Sequence, residues 1–129
     1  MKKTIIKEKY PVYSLEIQKT ETSYKNVSEI IAYFKELITN DPVAVNIGIF
    51  DHYEHTENLE NGEISDNILD AKNIVFCFGQ KLDNPIILAV RPRSIGVVET
   101  NTAFIISFLE APMEPAHNKM EKWAKDLVS

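Results

Sequence analysis

Five consecutive residues, Asp51-His52-Tyr53-Glu54-His55, gather the side chains of this chain best suited to chemistry. Imidazole nitrogens and carboxylate oxygens ligate zinc and iron, and a histidine also moves protons near neutral pH. The His52-x-x-His55 spacing suits one metal only if the strand before it has ended. In extended chain residues three apart point to opposite faces, about 10 Å from one another, whereas in a turn or helix they converge. Spacing fixes no third ligand. A second group, Arg91-Pro92-Arg93-Ser94, holds both arginines of the chain. Two guanidinium groups held apart by a rigid proline suit a carboxylate or a phosphate. They also suit the acidic stretch described below, and pairing with it is the expected arrangement. Cys77 lies between Phe76 and Phe78, where burial would raise its pKa and leave the thiol inert. The chain contains no P-loop, G-x-G-x-x-G, C-x-x-C or G-x-S-x-G motif.

Those groups need a scaffold, and the 129 residues suit one domain, 1–129, with a single core. A 44% hydrophobic content and a net charge of −5 argue against a disordered chain and against bulk electrostatic binding to nucleic acid or anionic lipid. No stretch approaches the roughly 20 apolar residues of a membrane span. The N-terminus starts like a secretion signal, but Lys7, Glu8 and Lys9 interrupt it before an apolar segment forms. A lone Cys77 makes no internal disulfide, which points to a reducing, cytoplasmic setting. Charge is unevenly spread. Residues 51–70 carry seven acidic side chains and no Lys or Arg, a pattern that reads as a solvated loop.

Tyr13, Leu15 and Ile17 alternate with polar residues as in a half-buried strand. Asn26 then caps a helix over 26–40, whose apolar stripe runs through Val27, Ile30, Ile31, Phe34, Leu37 and Ile38. Pro42 ends it. Val43, Val45, Ile47 and Ile49 share one face of a second strand, expected to be buried, which runs into Asp51 and His52. Residues 64–71 suggest a helical turn, and 74–78, apolar on both faces, a central covered strand. Pro85 opens a short helix over 86–90. Two β-rich runs, 94–99 and 103–110, flank a hairpin turn, and Pro115 opens a last helix with Ala116, Met120, Trp123, Ala124 and Leu127 on its buried stripe. Strands outnumber long helices. The expected fold is a two-layer α+β sandwich, a mainly antiparallel sheet of about five strands with two long helices on one face.

Three segments, Val45-Asn46-Ile47-Gly48-Ile49-Phe50-Asp51-His52, Ile74-Val75-Phe76-Cys77-Phe78-Gly79 and Arg91-Pro92-Arg93-Ser94-Ile95-Gly96-Val97-Val98-Glu99, resemble a small bacterial family, the domain of unknown function 302. Asp51-His52 matches its Asp-His, Phe78-Gly79 its Phe-Gly, and Pro92 the proline before its next strand. Gln80-Lys81 stands where that pattern has Asn-Pro. The resemblance implies a compact α+β sandwich and no established activity.

Three functional readings follow. The first is a small-ligand or partner-binding module, as a homodimer, with Asp51, His52, Arg91 and Arg93 at its site. The second is a metal- or haem-binding protein using His52 and His55. The third is a hydrolase-like enzyme with His52 as general base, which has no accompanying nucleophile or oxyanion motif.

Overall fold

A computed structural model describes residues 1–129. The chain runs β1 (Lys2–Ile6), β2 (Tyr10–Gln18), α1 (Val27–Asn40), β3 (Val45–Asp51), α2 (His52–Glu57), β4 (Asp70–Cys77), β5 (Arg93–Glu99), β6 (Ala103–Leu109) and α3 (Glu114–Lys125). The strands form one sheet in the order β1-β2-β6-β5-β4-β3, antiparallel throughout. Ile17, Ile74, Phe76, Ile95, Val97, Phe104, Ile106 and Phe108 all face the core shared with α1 and α3, so both long helices cover one face of the sheet. The two-layer α+β expectation holds, with six strands.

α1 begins where its residue types require. The Asn26 carboxamide accepts a hydrogen bond from the Glu29 amide at 2.8 Å, and Glu29 reaches back to the Lys25 amide at 3.0 Å. Its stripe buries Val27, Ile30, Ile31, Phe34 and Ile38, while Leu37 sits half-buried at the margin of the core. α3 packs beside it through Met120, Trp123 and Ala124, and Leu127, expected on its stripe, is buried just past its end. The Tyr33 hydroxyl donates to the Trp123 carbonyl at 2.7 Å and ties the two helices together.

Four local expectations are corrected. β3 is an edge strand, not a buried one, and Val45, Ile47 and Ile49 are exposed. Val45 lies opposite Cys77 on the face that no helix covers, and a bulge between Asn46 and Gly48 sets Ile49 opposite Ile74, so Val45 and Ile49 do not share the expected face. Residues 64–71 form turns that lead into β4 and no helix. β4 is covered on its helix face only, so Cys77, on the other face, is half-buried. The short helix after Pro85 is a 3-10 turn over Ile87–Val90.

Candidate functional site

The residues of interest fall in two places. The first is the end of β3. Asp51 is the N-cap of α2, its carboxylate accepting from the Glu54 amide at 3.0 Å, and its other oxygen lies 3.8 Å from the Lys72 ammonium. The first is what an aspartate at a helix start supplies by itself, and the second is a cross-strand pair with its register partner on β4. Asp51→Ala is expected to fray α2 and cost about 1 kcal/mol, measured by urea unfolding. His52 and His55 lie one turn apart on α2 with ring centroids 6.2 Å apart, both against Phe50. The chain has thus left the extended conformation, as a shared role would need. Both rings are exposed, and His52 Nδ1 lies 3.0 Å from the Thr56 hydroxyl. No group of three or more His, Cys, Asp or Glu side chains converges here or elsewhere.

The second place is a cleft of about 560 Å³ between the segment joining β4 to β5 and the start of α3. Arg91 and Arg93 both line it, and neither Asp51 nor His52 does. The structure therefore brings the arginines together and leaves the β3 end apart from them. The expected pairing of the arginines with the acidic stretch does not occur, since no ion pair in the protein involves an arginine. The acidic stretch follows the β3 edge and the arginines flank the start of β5, with β4 between those strands.

Arg93 is the unusual member. It opens β5 in register with the fully buried Phe76, so the pleat turns it to the core face along with Ile95 and Val97. Only 9% of it is exposed. One Nη2–H donates to the Leu109 carbonyl, while Nε is sealed from solvent with no acceptor. Burial without a carboxylate pushes the guanidinium pKa down. A buried, unpaired guanidinium is costly to hold, and protein interiors rarely retain one unless something pairs with it. Arg91 is less enclosed. It lies against Gly79 and donates to the Lys81 carbonyl at 2.8 Å. A Cβ at position 79 would stand 2.8 Å from Arg91 Nη1, so the glycine is the cradle that admits the guanidinium.

Around these cations the walls are mostly apolar: Phe78, Ile87, Val90, Ala111 and Met113. Phe78 stacks on Trp123 with centroids 5.6 Å apart, and the Lys119 ammonium sits 5.8 Å from its ring. α3 enters the cleft by its N-terminal turn. Its N-cap, Met113, offers no side-chain acceptor, so the first amides of the helix lack the partner that a Ser or Asp would have provided.

One lining cation is already committed. Lys119 pairs with Asp41, whose carboxylate also accepts from the amides of Val43 and Ala44 and is itself buried. Burial would raise the Asp41 pKa, but the hydrogen bond from Lys119 and the two amides outweigh it and hold the carboxyl below the usual range. A carboxyl with its pKa lowered by folding stabilises the protein at neutral pH, and that contribution is lost as the pH falls below about 4. Asp41→Asn is therefore expected to cost about 1.5–3 kcal/mol at pH 7 and to differ less from the parent at pH 3, by urea unfolding at the two pH values.

His117 is buried within an aromatic nest, 4.3 Å from the Tyr13 ring centroid, with Nδ1 near the Ala111 amide and Nε2 near Glu121. Nδ1 thus ties α3 to the segment after β6, while Nε2 faces a carboxylate one turn on in the same helix. Sequence reasoning singled out the arginines but not Ile87, Met113 or the start of α3 as their neighbours. Pro115 was the available signal, since proline in a first helical turn marks an amide-bearing N-terminus.

The fold and the cleft together define a two-layer α+β domain with a cationic, apolar-walled pocket on its helix side. Over residues 1–129 the chain matches a family of unknown function, DUF6858, and it belongs to that family. The match is to this family and not to the domain of unknown function 302 that the Asp-His and Phe-Gly motifs resemble. No curated protein and no solved structure matches the chain. No helix is long and apolar enough to cross a membrane.

Proposed function

We propose that this protein is a binding module for a small anionic ligand, seated in the cleft over Arg93. One observation carries the reading: an arginine nine-tenths buried, without a carboxylate and with a sealed, unsatisfied Nε, lining a cleft of about 560 Å³. At about 560 Å³ the cleft falls within the range of small-molecule sites, roughly 300–1,000 Å³. An anion there would supply the missing charge and acceptor, with Arg91 and the start of α3 as further donors. In this reading Asp51 serves α2. Metal binding by His52 and His55 rests on their adjacency alone, and a general-base role for His52 has no nucleophile beside it. The lone thiol supports a reducing, cytoplasmic setting.

Thermal unfolding against small carboxylates, phosphates and neutral analogues tests the reading. Anions at a hundredfold excess over Kd should raise Tm by about 5–10 °C, and the rise should vanish in Arg93→Met. Equal shifts in parent and variant would place binding elsewhere.

A homodimer is supported by the two sheet edges, which differ. β1 is short and carries Lys2 and Lys3, the usual guard against edge pairing. β3 presents Val45, Ile47 and Ile49 to solvent with no charge before Asp51. Antiparallel pairing of β3 with its two-fold mate would continue the sheet through both copies. Light scattering should then show a dimer that Ile47→Lys converts to a monomer; a monomeric parent protein would remove this part of the proposal.

A further inference from the structure

We propose that the ligand of the Arg93 cleft is an unbranched alkyl carboxylate, its head on Arg93 and its chain along Phe78, Ile87, Val90 and Met113. The inference rests on the anion-site reading and narrows it by charge, shape and surface.

Charge comes first. Four cations line the cleft, but only Arg93 is both buried and free of a carboxylate. Lys119 is held by Asp41, Arg91 is partly solvated and tied to the Lys81 carbonyl, and Lys81 is exposed, with Asp83 of opposite sign also on the lining. Arg91 also lacks a carboxylate but is partly open to solvent, so the one buried uncompensated charge is neutralised by one negative charge. A phosphate dianion would carry a second charge into apolar walls with no buried partner for it. The fork geometry of a guanidinium also matches the two oxygens of a carboxylate.

The walls then select the remainder of the ligand. Phe78 is the aromatic residue of the lining, and its ring is engaged by Trp123 and Lys119, so it does not serve as a stacking platform for a base. Ile87, Val90, Ala111 and Met113 offer no hydrogen bonds to a sugar, and the uncharged or acidic lining side chains that could, Gln80 and Asp83, are exposed and not beside the buried Arg93 in sequence. The segment that supplies Ile87 and Val90 also holds Leu82, Ile86 and Leu88 in solvent, 79%, 76% and 64% exposed. Apolar surface of that extent, next in sequence to the lining, is where a chain longer than the cleft would continue.

Calorimetric titration of the full chain with hexanoate, octanoate and decanoate, each below its aggregation limit, tests the proposal. Acetate, decanol, decyl phosphate and inorganic phosphate complete the series. Affinity should rise by up to about fourfold per methylene along the carboxylates, as burial of a methylene allows. Decanol should bind about tenfold or more weakly than decanoate, and Arg93→Met should remove measurable decanoate binding. Decyl phosphate or inorganic phosphate binding more tightly than decanoate, with dependence on Arg93, would overturn the carboxylate and keep the anion site. Affinity that does not grow with chain length would overturn the alkyl body. If no probe depends on Arg93, the anion site falls as well.

Discussion

Arg93→Met is expected to make the protein more stable and to abolish its ligand binding. The two effects have one cause. Arg93 places a positive charge on the core face of the sheet, between Phe76 and the cleft, with the Leu109 carbonyl as its acceptor and no carboxylate. Holding an ion there costs several kcal/mol even after relaxation, and exchanging buried ionic groups for apolar ones of similar volume often stabilises by about 1–4 kcal/mol. Methionine fills the space of the arginine stem and removes the charge. Its drawback is the lost hydrogen bond to the Leu109 carbonyl, worth about 1 kcal/mol. The net expectation is a gain of about 1–2 kcal/mol in urea unfolding without ligand. A structural arginine would give the opposite result, a loss of stability on substitution. Because the variant folds, a loss of binding in it reports on the site.

Trp123→Ala is expected to produce the largest loss of stability, about 3–5 kcal/mol. The indole is 8% exposed and packs against Phe76 and Phe78, with centroids 6.1 and 5.6 Å away. Truncation leaves a void where α3 meets β4 and removes the support under Phe78, the aromatic wall of the cleft. Binding should weaken together with stability, unlike in Arg93→Met. Trp123 is also the only tryptophan of the chain, so its fluorescence reports on the cleft floor. Ligand added to the parent should change the emission, and added to Arg93→Met should not.

Much of the scaffold was legible because its signals are local. Asn26 and Glu29 announced α1, the stripe from Val27 to Ile38 gave its buried face, and the Thr100-Asn101-Thr102 turn marked the β5–β6 hairpin. β1 was missed for an equally local reason. Its turn to β2 uses Lys7 and Glu8 at φ 52° and 62°, a left-handed pair that glycine or asparagine usually signals. The exposure of β3 was not legible, because an apolar strand reads alike at an edge or at the centre until the sheet order is known. The same limit divided the candidate site. Arg93-x-Ile95-x-Val97 already carries the alternation that puts Arg93 on the core side, whereas the distance from His52 to the arginines depends on where β3 sits. Capping explains Asp51 as fully as chemistry would, and only the structure separates the two.

The claim on which the rest depends is that a carboxylate pairs with the Arg93 guanidinium. Its most direct test is a nitrogen–proton correlation spectrum that resolves the Arg93 Nε–H, assigned by its absence in Arg93→Met and followed during a decanoate titration. The account predicts that this resonance shifts and saturates, together with the amides of Gly79 and Ala116, while those of His52 to Glu57 stay in place. An Arg93 resonance that does not move while the α2 amides do would contradict it and return the site to the end of β3.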